Sequence, residues 1–323
     1  MKRVANGTAL LITLVSFGVH PQQQSQSEEP IRLSTELVVV DAQVLSKKSG
    51  LAVGGLGKGD FTVYEDGVKQ VITHFSQDVL PLSVVILLDV TSSVAPVQRE
   101  LREGAVEALR HLKPRDDVAL MEFAAHARVV QSFTWDRQSI ADGIQRANAQ
   151  GLGNGTFINE AIYQAADYLG RASSPSTRRV IIAVTDDVST QRLPLVPSET
   201  TVLGELYKSG STVAGLIFDT PEKSAQAIST GQLSRSVLDQ PLGLVAGYAN
   251  QTGGVSLTFN RGDLREKFGQ LLDRLRSRYT IGYIPSNARR DGRFRKVKIT
   301  VSPEAEQRLG KIAVKTRKGY YAR

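Results

Sequence analysis

The feature that constrains the fold most is a continuous aliphatic run at residues 84–88, which ends directly in Asp89. A strand that is apolar on both sides must be buried on both sides, which is typical of the central strands of a parallel sheet. Residues 180–184 have the same character, and Thr185 and Asp186 follow them. The two runs predict the centre of an open sheet with polar residues at the ends of its strands.

Helical periodicity separates these runs from further strands. An apolar stripe at a spacing of three and four residues begins near Pro96, and similar stripes predict helices around residues 140–147, 162–169 and 264–275. Strands are predicted at 118–123 and 129–133, both buried, and at 213–218. Strands that alternate with helices predict a mostly parallel sheet flanked by helices, while the polar stretch 222–240 predicts a long surface excursion.

Two segments that lack helical periodicity flank this α/β region. Strands are predicted at 31–44, 60–65 and 68–75 before it, with a hairpin turn at Asp66-Gly67, and at 279–284, 294–301 and 312–321 after it. Neither segment has enough strands to form a stable sheet alone. We therefore expect both ends of the mature chain to build one small, helix-free β-sandwich, into which the α/β domain is inserted.

The expected organisation has five parts. They are a signal peptide at 1–21, a flexible linker at 22–30, the two halves of the sandwich at 31–80 and 278–323, and the α/β domain at 81–277. Lys2 and Arg3 precede an apolar run at 9–19, which is shorter than the ~20 residues that a membrane span needs. We expect export to the periplasm, the cell envelope or the exterior, with an uncleaved anchor as the alternative.

Composition excludes several kinds of site. The absence of cysteine excludes disulfides, zinc thiolates and thiol nucleophiles, and the four histidines are scattered. The net charge of +8 is compatible with an anionic partner, although a basic secreted protein is the simpler interpretation.

Hydroxyl and carboxylate side chains are predicted to meet at the carboxyl edge of the sheet, where ligands bind in open α/β folds. Three segments supply them. They are the end of the first strand, the Gly-rich loop before a helix, and the end of the later strand, and their polar residues are Asp89, Thr91, Ser92, Ser93, Thr156, Thr185, Asp186 and Asp187. These hard oxygen donors suit Mg²⁺, Mn²⁺ or Ca²⁺ rather than zinc or copper. The alternative is that each residue only caps a helix or turn.

The order of these residues resembles the metal-ion-dependent adhesion site of von Willebrand factor A domains, over roughly residues 81–275. The flanking segments FTVYEDG, SRYTIGYIP, DGRFRKVKI and RKGYYAR are similar to those of the acidobacterial-type VWFA-related secreted proteins. The resemblance implies a Rossmann-like domain whose metal shell is Asp89, Thr91, Ser93, Thr156 and Asp186. It implies one divalent cation, with Mg²⁺ expected first and Ca²⁺ or Mn²⁺ as alternatives.

Two positions depart from the family pattern. Thr91 replaces the usual serine and keeps the hydroxyl, and Asp187 stands where many members have glycine. An additional carboxylate at Asp187 would either favour Ca²⁺ or face solvent.

The expected function is metal-dependent binding of a protein that presents an Asp or Glu carboxylate. We do not expect an enzyme, because Asp187 is the only candidate for a general base beside the metal. The alternative is a basic binder of an anionic polymer or nucleic acid in which the metal is structural or absent, although an exported protein is not expected to meet nucleic acid. In that alternative Arg293 and Arg295 could form an exposed basic stripe. Arg261-Gly262-Asp263 spells a recognition tripeptide, but Asp263 more simply caps the following helix.

Overall fold

The computed structural model describes residues 37–77, 80–174, 176–190, 196–218, 243–260 and 262–322, and these residues belong to one compact unit. The strands in chain order are β1 (Val38–Ser46), β2 (Phe61–Glu65), β3 (Val68–Gln70), β4 (Ile72–Ser76), β5 (Leu82–Asp89), β6 (Asp117–Phe123), β7 (Ala127–Thr134), β8 (Arg178–Thr185), β9 (Thr212–Phe218), β10 (Ser256–Phe259), β11 (Tyr279–Tyr283), β12 (Phe294–Val301), β13 (Ile312–Thr316) and β14 (Gly319–Tyr321). The α-helices are α1 (Gln98–Ala108), α2 (Arg137–Arg146), α3 (Ile158–Ala172), α4 (Glu199–Ser209), α5 (Leu244–Thr252), α6 (Leu264–Arg276) and α7 (Pro303–Leu309).

The central sheet has the strand order β10-β9-β8-β5-β6-β7. All neighbours in it are parallel except β6 and β7. Every residue of β5 is buried, because alternate side chains pack into cores on opposite faces of the sheet. The aliphatic runs at 84–88 and 180–184 are therefore adjacent central strands, as the sequence predicts.

Helices cover both faces of this sheet, which confirms the predicted α/β class. Apolar residues of α1, α2 and α6 pack on one face, and those of α3, α4 and α5 pack on the other. Helices α4 and α5 and strand β10 were absent from the sequence prediction. Helix α4 did carry usable signals, because Ser198 caps its first turn and Gly210 ends it in the left-handed conformation.

Strand β7 differs from the prediction of a buried strand. It is the antiparallel edge of the central sheet, and no residue in it is fully buried. Because the edge strand has a neighbour on one side alone, aliphatic residues such as Val129 remain exposed there.

The flanking segments form two four-stranded antiparallel sheets with the orders β13-β1-β11-β4 and β14-β12-β2-β3. Each sheet combines strands from before and after the α/β region. Val40, Val63, Ile281 and Ile299 contribute to the shared core between them. The predicted sandwich built from both ends of the chain is therefore present, while its exact domain boundaries remain predictions.

Two details of the sandwich differ from what the sequence predicts. Residues 68–75 do not form one strand: β3 pairs with β2 in one sheet, and β4 pairs with β11 in the other, with the exposed Val71 between them. The C-terminal segment is also not helix-free. Helix α7 lies between β12 and β13, and it begins with Ser302 as the N-cap and Pro303 in the first turn.

The predicted export segment, the linker and the 222–240 excursion lie outside the described residues. Among the residues described, no helix combines the length and the hydropathy needed to cross a bilayer.

Candidate metal site

The carboxyl end of β5 places Asp89 at the edge of the central sheet with 1% of its surface exposed. Its Oδ1 accepts hydrogen bonds from the Thr91 backbone N–H at 3.0 Å and from Thr91 Oγ1 at 2.6 Å. Thr91 Oγ1 also lies 2.9 Å from Ser93 Oγ. The three side chains thus form one continuous chain of oxygen atoms, which ends at the exposed Ser93.

The carboxyl end of β8 completes the support of Asp89. Thr185 Oγ1 donates to Asp89 Oδ2 at 2.6 Å, and the backbone N–H of Asp187 donates to Thr185 Oγ1 at 3.0 Å. Thr185 is fully buried, and the predicted metal shell did not include it. Its position as the last residue of a buried strand beside β5 was the signal that could have identified it.

Asp186 supplies the second buried carboxylate, with 2% of its surface exposed. Its Oδ1 accepts the backbone N–H of Val188 at 3.0 Å. Burial raises the pKa of Asp89 to about 6 against the lowering effect of its hydrogen bonds, and the negative charge of Asp186 raises it further. The two carboxylates are therefore close enough to repel each other at the buried edge.

Thr156 belongs to the same edge through the loop that follows β8. The Thr156 backbone N–H donates to Thr190 Oγ1 at 2.9 Å, and the Thr156 carbonyl accepts the Thr190 N–H at 2.8 Å. The N-cap residue of α3 is Phe157, so Thr156 does not occupy the capping position. The preceding Gly155 has φ 102°, and a Cβ atom there would lie 3.1 Å from Thr190 Oγ1. The Gly-rich loop is thus shaped to hold Thr156 against the β8 loop.

Asp187 has a structural contact that the sequence did not reveal. It adopts φ 54° and is 7% exposed, and its Oδ1 accepts the backbone N–H of Val245 in the first turn of α5 at 3.2 Å. A Cβ atom on Gly243 would lie 1.8 Å from Asp187 Oδ2, so a side chain there would collide with the carboxylate. Asp187 therefore stabilises the start of α5 and does not face solvent.

The donor chemistry fits a hard divalent cation. Asp89 and Asp186 are buried carboxylates, and within the described residues no lysine, arginine or histidine forms an ion pair with either. Buried carboxylates without a compensating charge are costly, and a cation offsets that cost. The described residues contain no cluster of three or more Asp, Glu, His or Cys side chains that could hold a metal, so hydroxyls have to supply the remaining protein ligands.

Two other sequence candidates have different environments from those expected. Arg295 is 5% exposed and bonds to Asp291 and to the Arg289 carbonyl, so it does not join Arg293 in an exposed stripe. Asp263 occupies the N-cap position of α6, but its side chain accepts the Asn260 N–H instead of a helix N–H.

Comparison with known proteins identifies the central region. Residues 84–188 match the family model of the von Willebrand factor type A domain, and this range runs from β5 to just beyond Asp186. No curated protein sequence matches the chain.

Solved structures to which this chain shows similarity include a von Willebrand factor type A protein from Catenulispora acidiphila, at 14% identity and a TM-score of 0.46 over 74% of this chain and 49% of that one. The conserved hypothetical protein BatB from Bacteroides thetaiotaomicron has 17% identity and a TM-score of 0.45, over 61% of this chain and 100% of that one. Proximal thread matrix protein 1 from the mussel byssus, solved with a zinc-occupied MIDAS motif, has 14% identity and a TM-score of 0.44 over 61% of this chain and 48% of that one. Because all three TM-scores are below 0.5, the identification rests on the family match.

Proposed function

Because this chain carries a von Willebrand factor A domain, we propose that the protein is a divalent-metal-dependent protein-binding module. The observation that carries the proposal is the pair of buried carboxylates, Asp89 and Asp186, at an edge where the hydroxyl groups of Thr91 and Thr185 donate hydrogen bonds to Asp89. Domains of this family commonly bind a divalent cation at such a site.

We assign Asp89, Thr91, Ser93, Thr156 and Asp186 as the residues that hold the cation. Thr185 is a positioning residue, because it fixes Asp89 through the bond to Oδ2. Mg²⁺ is the proposed ion, since it is a hard cation that keeps several waters and needs few protein carboxylates. Mn²⁺, Ca²⁺ and Zn²⁺ belong in the same test, the last because the mussel byssus protein holds zinc in its motif.

The proposed partner presents an Asp or Glu carboxylate. When bound, the cation supplies a positive centre with an exchangeable coordination position, because two carboxylates and neutral hydroxyls do not saturate a hard divalent ion. Ser93 is the exposed end of the hydroxyl chain. A partner carboxylate can therefore approach the cation from the side of Ser93. Catalysis is not part of the proposal, because Asp187, the one candidate for a general base in the sequence, accepts a hydrogen bond from the first turn of α5. We also propose that the protein is exported, on the evidence of the N-terminal sequence pattern alone.

The alternative of an anionic polymer as the partner loses its structural support at the C-terminal strands, since Arg295 is buried against Asp291.

Metal binding is tested by titrating metal-free protein with Mg²⁺, Mn²⁺, Ca²⁺ and Zn²⁺ in a calorimeter. We expect a single site, and at a free metal concentration of 100 times Kd the protein should gain about 2.7 kcal/mol of stability. Asp89→Asn should remove the site. The matched control is Asp142→Asn, an exposed aspartate of α2, which should leave it intact. Unchanged metal binding in Asp89→Asn would refute the assignment.

Carboxylate recognition is tested by selecting a displayed peptide library on the protein in Mg²⁺. The selected peptides should lose binding in chelator, in Asp89→Asn, and after one Asp→Asn or Glu→Gln change in the peptide. If the metal binds but the selected peptides are indifferent to chelator, the metal has a structural role and recognition occurs on another surface.

A further inference from the structure

A second charged region lies at the opposite, amino edge of the central sheet, where the α/β region meets the sandwich. A cavity of about 490 Å³ is found here, lined in part by Asp41 of β1, Arg178 and Arg179 of β8, Arg278 just before β11, and Arg317 after β13. Among the described residues, the lining thus holds four arginines but a single carboxylate. This imbalance is unusual for a protein interior, where buried charges are normally paired.

The carboxylate of Asp41 is already used by Arg178. Arg178 Nε lies 3.0 Å from Asp41 Oδ2, and Arg178 Nη2 donates to Thr280 Oγ1 at 2.9 Å. Thr280 Oγ1 in turn donates to Asp41 Oδ1 at 3.0 Å. The three residues form a closed group in which both carboxylate oxygens of Asp41 have a partner.

Arg278 lies beside this group without an acceptor of its own. It is 5% exposed, and its Nε and Nη2 atoms have no hydrogen-bond partner among the described residues. Burial lowers the pKa of Arg278 to about 10, and the charge of Arg178 lowers it further, against a raising effect of Asp41. The side chain remains charged at neutral pH, so the protein holds a buried cation with two donor atoms, Nε and Nη2, that have no hydrogen-bond partner among the described residues.

The other two arginines, Arg317 and Arg179, also form no ion pair with a carboxylate among the described residues. Arg317 donates to the carbonyl of Tyr207 at 3.4 Å, and its guanidinium lies 5.8 Å from the centre of the Tyr207 ring. Arg179 donates to Ser173 Oγ and to the Ser209 carbonyl, both at 2.7 Å. All these partners are neutral, so the described residues do not cancel the positive charge of the lining.

We propose that this cavity is a binding site for a small oxyanion that carries two or more negative charges, in the form of phosphate or carboxylate groups, with Arg278 as its main protein ligand. Guanidinium groups bind such oxygens through paired N–H donors. The cavity volume falls within the range of small-ligand sites. The proposal does not depend on the metal site, because the two sites lie at opposite ends of β8.

The experiment uses protein that has been stripped of metal with EDTA and then desalted, because EDTA is itself a polycarboxylate. Pyrophosphate and citrate are titrated separately at constant ionic strength, with sodium chloride as the reference, by calorimetry and by thermal unfolding. We expect one saturable site and a higher melting temperature with at least one of the two anions. The stronger anion identifies the group, phosphate or carboxylate, that the site prefers.

Variants then assign the site. Arg278→Met should weaken anion binding at least tenfold, while the anion-free protein remains as stable as the wild type or becomes more stable, because an unpaired buried charge is removed. Arg278→Lys should bind with intermediate affinity, since it keeps the charge but loses the fork of donors. Arg99→Met, which changes an arginine with an 82% exposed side chain on α1, is the control and should bind like the wild type. Absence of saturable binding of both anions, or equal binding by Arg278→Met and wild type, would overturn the proposal.

Discussion

The two edges of the central sheet carry opposite and uncompensated charges. At the carboxyl edge, Asp89 and Asp186 are buried with no cationic side chain of the described residues paired to them. At the amino edge, Arg278 is buried, and its Nε and Nη2 atoms have no hydrogen-bond partner within the described part of the chain. Strand β8 connects the edges, with Arg178 as its first residue and Thr185 as its last. The comparison suggests that an unbalanced buried charge, of either sign, marks a place that a ligand fills.

A third buried charge shows what a balanced arrangement looks like. Asp116 is 1% exposed and pairs with Arg276 at the end of α6. Its oxygens also accept the backbone N–H groups of Leu82 at 2.9 Å and Lys113 at 2.7 Å. Here the protein supplies every partner, so the group is structural and no ligand is needed.

The largest effect is expected when this balanced pair is broken. Asp116→Asn leaves Arg276 buried without a counter-charge, which should destabilise the protein by about 3 kcal/mol. Burial opposes ionisation of Asp116, but the hydrogen bonds from Arg276, Leu82 and Lys113 prevail, so its pKa is below the ordinary 3.8. The stability from this pair is therefore present above pH 3.8 and lost as the pH falls through the lower folded-state pKa. Urea unfolding at pH 7 and pH 3 measures both effects.

The neighbouring Asp117 provides the control for that prediction. Burial raises the pKa of Asp117, although a hydrogen bond from Ser83 opposes the shift, so its charged form is disfavoured in the folded state. Asp117→Asn should therefore be neutral or stabilising at pH 7. Equal destabilisation by the two substitutions would show that loss of local packing, and not the ion pair, is the cause.

The second effect has the opposite sign. In chelator, Asp89→Asn should make the protein about 1 to 2 kcal/mol more stable, because it replaces a buried carboxylate whose ionisation the fold disfavours. In saturating metal the order should reverse, because the wild type alone gains binding energy. Thermal unfolding of both proteins with and without Mg²⁺ gives the four stabilities. A variant that is less stable in both conditions would contradict the view that Asp89 is strained without a cation.

A smaller change in stability is expected on substitution of Asp187. This substitution tests whether a carboxylate at the same edge has a structural role and does not bind the metal. Asp187→Ala removes the acceptor for the Val245 N–H and places alanine at φ 54°, so stability should fall by about 1 kcal/mol. Metal affinity should stay within about threefold of wild type, since that carboxylate is directed to α5. Asp187→Asn keeps the acceptor and tolerates the backbone conformation, so it is the matched control. Loss of metal binding in both variants would add Asp187 to the metal shell.

The sequence predicted the centre of the fold better than its periphery. Strands such as β5 and β8 are buried on both sides, and a continuous aliphatic run in the sequence predicts such burial directly. The split of residues 68–75 between two sheets could not be predicted, because both pieces are short and the switch at Val71 depends on which partner strands are present. The position of β7 at the edge of the central sheet could not be predicted for a similar reason, because it depends on which strands pair with it, and β6 is its one neighbour in that sheet.

The candidate site was predictable as a set of residues but not as a network. Asp89, Thr91 and Ser93 are close in sequence, and the structure brings them into one hydrogen-bonded chain. The role of Thr185 needed the pairing of β5 with β8, and that of Asp187 needed the position of α5. The buried Arg278 was not predicted at all, since arginine is normally exposed and only the approach of the sandwich to the central sheet buries it.

The smallest effect tests whether the two edges act independently. Seven residue steps along β8 separate its ends, which corresponds to roughly 23 Å at the usual rise of a strand. Two unit charges at that distance interact by about 0.2 kcal/mol in water, and salt at 0.15 M screens them further because the Debye length is about 8 Å. The stability changes of Asp89→Asn and Arg278→Met should therefore add to within about 0.5 kcal/mol in the double variant. Urea unfolding of the wild type, both single variants and the double variant in chelator-free, metal-free buffer completes the cycle. A coupling above 1 kcal/mol that persists in high salt would show that β8 transmits a structural change between the edges, and that occupancy of one site alters the other.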